Sequence, residues 1–215
     1  MIESRVSDTP VYVRDKGRPP LSSEEFARFE RYAAEIFSRL GMDLASPGSH
    51  DTPRRWLQAL VDMTAGYDRD PKISTIFPRE CVACEEGEYE QTVEGPIPFV
   101  SLCEHHVLPF IGHAWVGYLR RDTIIGISKF TRIVRMYARR FSLQERIAQE
   151  IVNEMTTLLR PHGVAIYLEA HHTCMQARGV QEMNATTRTF LSRGAYEGNS
   201  YLTSQFMDLA GLRRL

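Results

Sequence analysis

Two short segments of this chain join thiol and imidazole side chains at spacings a metal ion can use. They are Cys103-Glu104-His105-His106 and, far downstream, His171-His172-Thr173-Cys174. Zinc accepts Cys sulfur and His nitrogen in a tetrahedral shell, and a structural site normally closes that shell with four protein ligands. Three protein ligands leave one position for water, as in a catalytic site.

The spacing selects ligands. Cys103 and His106 stand three apart, so a turn leaving a strand could aim both at one ion. Cys174 follows a run with strand character from Val164 to Ala170, where alternate residues share a face. On that reading His172 and Cys174 point the same way and His171 the other. The expected ligands are Cys103, His106 and Cys174, with His105 and His172 beside them to transfer protons, work suited to a neutral imidazole. Spacing alone also allows a closed site in which His172 is the fourth ligand.

At these residues the chain resembles the GTP cyclohydrolase I family, zinc enzymes that open the purine ring of GTP. The similarity covers Ser101-Leu-Cys-Glu-His-His-Val-Leu-Pro-Phe-Ile-Gly112, Val116-Gly-Tyr-Leu119, Ile125-Gly-Ile-Ser-Lys129, Arg132-Ile-Val134, Leu143-Gln-Glu-Arg146 and Cys174-Met-Gln-Ala-Arg-Gly-Val180. It reaches more loosely back to Asp51-Thr-Pro-Arg-Arg55. The resemblance implies Zn2+ as cofactor and GTP as substrate. It further implies attack of a zinc-activated water at C8, loss of that carbon as formate, and closure to 7,8-dihydroneopterin triphosphate. His172 would protonate the imidazole part of the base, and His105 would assist proton movement.

The same resemblance assigns the binding residues. Ser128 and Lys129 begin a helix after an apolar strand, and a helix N-terminus offers free N–H donors to phosphate. With Arg132, Arg178 and Arg55 they match the family's triphosphate positions; Arg135 and Arg139 read as a solvated cationic face. Glu145 matches the glutamate that accepts hydrogen bonds from guanine, with Gln144 beside it. Ser142-x-x-Glu145 can equally be a capping box, in which case Glu145 merely holds a helix start.

Several elements must position these groups. Ser22-x-x-Glu25 is a capping box opening a helix with Phe26, Phe29, Ala33, Ile36, Phe37 and Leu40 on one stripe, ending at Gly41. Thr52-Pro53 opens a second helix. Strand texture follows at Ile73–Phe77, Tyr89–Val93, Ile97–Leu102, Val107–Ile111, Ala114–Leu119 and Ile124–Ile127. Two helices then start near Ser128 and Ser142, Val164–Glu169 returns to strand, and a last helix carries Leu202, Phe206 and Leu209. This order reads as α+β with an antiparallel sheet. The expected division is a polar arm over 1–20, a helical region over 21–70 and a catalytic domain over 71–215. The resemblance implies the tunnelling fold and a homodecamer with active sites between subunits.

Composition sets limits. A formal charge of −1 over 215 residues argues against a general nucleic-acid or anionic-membrane binder. No apolar run approaches the roughly 20 residues of a membrane span, and the first residues lack a signal-peptide core. Four cysteines, two of them in the metal segments, do not make a disulfide scaffold, and a cytoplasmic home is expected. Cys81-Val-Ala-Cys84 is a weak second thiol pair in a glutamate-rich loop, and Gln58 stands where the family often has lysine. Two other readings stay open: a related tunnelling-fold pterin or deazapurine enzyme, and a non-catalytic binding module held by zinc.

Overall fold

A computed structural model describes residues 17–78 and 89–212. Cys81, Cys84 and all but the end of the N-terminal arm lie outside the described residues.

The N-terminal helices begin where local chemistry directs. The Ser22 hydroxyl accepts the Glu25 N–H at 3.1 Å and the Glu25 carboxylate accepts the Ser22 N–H at 2.9 Å, opening α1 (Ser23–Arg39). Gly41, at φ +97°, carries the chain out of the helix in a conformation that disfavours other residues. Pro53 sits in the first turn of α2 (Thr52–Met63), and Phe37 meets Trp56 edge-on at 5.3 Å to join the two helices. The stripe of α1 is less covered than its periodicity implies. Ala33 is buried, whereas Ile36 and Leu40 stay exposed, because α2 alone covers too little of that face.

The expected strand at Ile73–Phe77 is only partly strand. Asp70 accepts the Lys72 N–H at 2.9 Å and Pro71 opens a 3-10 turn through Ser74, leaving β1 at Ile76–Pro78. Four sequence-predicted strands merge into two. The chain runs without a break as β2 (Gln91–Cys103) and returns as β3 (Pro109–Leu119), the register shifting between Glu94 and Ile97. After β4 (Thr123–Ile125) come α3 (Ile127–Ala138), β5 (Phe141–Ser142) and α4 (Gln144–Leu159). The chain finishes with β6 (Gly163–His172), α5 (Thr173–Gln176), β7 (Thr187–Gly194) and α6 (Ser200–Leu209).

The main sheet has the order β5-β2-β3-β6-β7, antiparallel except where β5 joins β2, and β1 pairs with β4 separately. This is an α+β architecture with two consecutive helices on one sheet face. Phe130, Ile133 and Val134 of α3 and Ile147, Ile151 and Met155 of α4 pack there against Phe99, Phe110, Val116 and Ile166. Each such side chain stabilises by about 1.5–3 kcal/mol relative to exposure. On the other face α6 buries Leu202 and Phe206 against Tyr196 and Leu119; Leu209, expected inside, is exposed. β7 was not foreseen, because its alternation is short and rich in Thr and Arg. Two edges stay open among the described residues: the outer edge of β7, and β2 beyond its two-residue pairing with β5.

Candidate metal centre

β2 and β3 are joined by a tight turn at the end of the sheet. The Val107 N–H bonds Cys103 O at 2.8 Å, the Cys103 N–H bonds Leu108 O at 2.9 Å, and Val107 takes a left-handed φ of 57°. This winding brings His106 Nδ1 to 3.7 Å from Cys103 Sγ. The third group arrives from β6, whose register sets His172 opposite Phe110 of β3. Cys174 then falls in α5 rather than on the strand, so the alternation argument that paired it with His172 does not apply. Thr173 Oγ1 donates to Pro109 O at 2.6 Å and ties that helix turn to the start of β3.

The ligand atoms of Cys103, His106 and Cys174 all lie within 4.8 Å of one another. Two thiols and an imidazole at that separation fit one thiophilic ion such as zinc. Burial pushes the Cys174 thiol above its ordinary range, the Cys103 thiol adds to the rise, and Arg178 opposes it. A bound cation would reverse that balance and hold both sulfurs as thiolates.

His172 is not among the three residues whose ligand atoms converge. Its Nε2 lies 3.0 Å from Gln144 Oε1, and its ring stacks on Phe110 at 4.5 Å and 7°. Burial pushes this imidazole below its ordinary pKa, while the nearby Glu145 carboxylate pulls the other way. His105 is exposed, its ring edge-on to His106 at 6.0 Å.

The residues expected to bind substrate fall into three places. Glu145 and Arg178 lie exposed beside the metal group. No capping box forms at α4. Ser142 is drawn into β5 opposite Cys103, its carbonyl accepts the Glu104 N–H at 3.2 Å, and Leu143 becomes the N-cap without a side-chain bond. Glu145 is thereby left without a capping role. Gln144, expected beside the base, is 1% exposed, and its Nε2 faces Leu168 O, Thr187 O and Thr189 Oγ1.

Ser128, Lys129 and Arg132 stand at the start of α3, away from this group. The far end of α3 is the one next to the metal turn, where the Leu102 N–H bonds Arg140 O at 3.3 Å. At 1.5 Å per residue, Ser128 lies about 16 Å back along the helix axis from Arg139. Ser128, Arg132, Arg135 and Arg139 line a groove of about 490 Å³ that runs along α3 beside Asp68 and Asp70, and Arg132 pairs with Asp70 at 2.7 Å. Arg55 opens α2 and donates to Gly48 O at 2.9 Å and Thr52 Oγ1 at 3.2 Å, and Gln58 donates to Asp62 along the same helix.

Sequence reasoning overlooked the Glu104–Arg146 pair, which clamps the metal turn to α4. The signal was present: an acid inside Cys-x-x-His and an arginine closing Leu-Gln-Glu-Arg. What was missing was any way to know that they meet.

Fold and site together define an α+β protein with a Cys–His–Cys group that could hold a metal ion at the end of its main sheet. The profile of the family described as GTP cyclohydrolase I matches residues 29–211, and the chain belongs to that family. A GTP cyclohydrolase 1 from Porphyromonas gingivalis is 38% identical over 191 residues, 89% of this chain and 96% of that protein. One from Methylococcus capsulatus is 36% identical over 182 residues, 85% and 96% of the two chains. One from Saccharomyces cerevisiae is 34% identical over 195 residues, 89% and 79%. Among solved structures, the apo archaeosine synthase QueF-Like aligns with a TM-score of 0.40 and 14% identity, covering 52% of this chain and 98% of that one.

Proposed function

We propose that this chain is a zinc-dependent GTP cyclohydrolase I that opens the imidazole ring of GTP, releases formate and yields 7,8-dihydroneopterin triphosphate. The observation that carries the reading is the convergence of Cys103, His106 and Cys174 within 4.8 Å, beside a half-buried His172 and an exposed Glu145. Those three side chains would hold a zinc ion, which would supply an activated water for hydrolysis near neutral pH.

The chain's own residues do the rest. Glu145 accepts hydrogen bonds from the 2-amino and ring N–H groups of guanine, donors that adenine lacks at those positions. His172 delivers a proton to the imidazole part of the base as the ring opens, and His105 moves protons at the exposed side of the site. Arg178, Ser128, Lys129, Arg132 and Arg55 hold the triphosphate, which is not cleaved and serves to place C8.

The separation of Ser128 and Arg132 from the metal group supports a shared site, in which one copy offers its metal end to the basic α3 start of another. Open edges at β2 and β7 and exposed Ile111, Val100 and Phe190 support sheets that continue across subunits. We read the assembly as the family's homodecamer with the tunnelling fold. Residues 21–70 form a helical region attached to a catalytic unit over 71–215. Among the described residues no helix is long and apolar enough to cross a membrane; we place the enzyme in the cytoplasm, acting on GTP rather than on nucleic acid.

Incubation of zinc-loaded protein with GTP should release formate and, after oxidation, a fluorescent pterin in equal amounts. Zinc-loaded, folded protein that leaves GTP unchanged would sink the proposal.

A further inference from the structure

Gln144 is a buried amide whose two ends have been sorted by their neighbours. Nε2 faces three acceptors, Leu168 O at 3.3 Å, Thr187 O at 3.1 Å and Thr189 Oγ1 at 3.1 Å. Turning the amide over would set its oxygen against two carbonyl oxygens in a site 1% exposed, leaving buried acceptors unpaired. The orientation is therefore fixed by β6 and β7, and Oε1 must face His172.

Oε1 can only accept a hydrogen bond, so the His172 nitrogen 3.0 Å away must be the one that carries hydrogen. In the neutral ring Nε2 is then the donor and Nδ1 holds the lone pair. Stacking on Phe110 at 7° holds the ring plane, and a flip within that plane would put Cε1 in place of Nε2 and lose the bond to Gln144.

We propose that Gln144 is a positioning residue that fixes the tautomer of His172 and leaves Nδ1 as the atom that exchanges protons with the substrate. Thr189 acts behind it, as the side-chain acceptor that orients the amide. This rests on the reading of His172 as the proton donor of the reaction. It replaces the expectation that Gln144 touches the base.

Neutron diffraction on deuterium-exchanged crystals of the zinc-loaded protein, grown well above neutral pH, tests it directly. Deuterium should appear on His172 Nε2 and not on Nδ1; deuterium on Nδ1, alone or with Nε2, overturns the assignment. This result does not depend on turnover of GTP, so its outcome is separable from that of the proposed activity. In solution, Gln144→Leu should lower kcat on the order of 100-fold, since misaligning a catalytic group costs that much, with KM for GTP and zinc content within about threefold. Unchanged kcat, or a loss confined to KM, would overturn the role. Should Gln144→Leu not fold, Thr189→Val is read by the same split, with a fall in kcat of about tenfold expected.

Discussion

The Glu104 carboxylate meets the Arg146 guanidinium with both oxygens: Oε1 accepts from Nη2 at 3.0 Å and Oε2 from Nη1. Glu104 lies inside the Cys103–His106 turn and Arg146 on the first turn of α4, beside Gln144 and Glu145. One fork-to-fork contact thus couples the metal turn to the helix that carries the groups expected to recognise the base. The pair raises the Arg146 pKa above its ordinary value. Both side chains are partly exposed, so the contact contributes about 1 kcal/mol or less to stability.

Breaking that pair should therefore loosen the site more than the fold. Glu104→Gln is expected to weaken zinc retention about tenfold, the scale of a residue acting behind the ligands. Competition with a chromophoric chelator measures it. The melting temperature should move by only a few degrees.

Removing a ligand and removing the neighbouring imidazole should have opposite signatures. Cys174→Ser and Cys103→Ser should lower zinc from one ion per chain towards none, read by atomic absorption, with formate release falling to background. His172→Ala should keep its zinc and bind GTP while losing ring opening. Loss of zinc from His172→Ala would make it a ligand after all.

Because no capping box forms at α4, Glu145 can be replaced without unpinning the helix. Glu145→Ala should change stability by less than about 0.5 kcal/mol. Its effect on GTP should be on the order of 100-fold or more in kcat/KM, with little change in the weak binding of ATP, by isothermal titration. Equal losses for the two nucleotides would remove Glu145 from base recognition.

Gly112 lies where β3 and β6 approach too closely for a side chain. A Cβ there would sit 2.0 Å from Glu169 O and 2.6 Å from the Ala170 Cβ. Backbone cannot give way as a flexible side chain would. Gly112→Ala should destabilise by about 1–3 kcal/mol or more, seen in thermal melts. It should also disturb the register that delivers His172 and Cys174.

Asp70 is held below its ordinary carboxyl pKa of 3.8, first by its hydrogen bond from Arg132 and then by the Lys72 N–H. A depressed pKa stabilises the fold above the unfolded value, and that contribution fades as pH falls through the folded one. Melts between about pH 5 and 2.5 should show this acid-side loss in the parent chain and a smaller one in Asp70→Asn. Freed from Asp70, Arg132 should also bind inorganic triphosphate more tightly, by a few fold.

What could be read from the linear chain was whatever depends on near neighbours. Ser22 and Glu25 bond each other across one helical turn, so that helix start was visible. Cys103 and His106 share one turn and converge as their spacing implied. The α3 and α4 stripes carry their own period, and Arg160, left-handed before Pro161, ends α4 where the proline required. Tertiary structure decided the rest. Ser142 could have capped α4, but pairing with β2 took it first. Gln144 looked like a base contact until β6 and β7 closed over its amide.

Nothing local reveals that Glu104 finds Arg146, or that Ser128 stands at the opposite end of α3 from the turn holding Cys103 and His106. The physical reason is the same throughout. Caps, turns and periodicity are settled by bonds spanning a few residues, whereas polar side chains choose partners only after the sheet register has determined which of them meet.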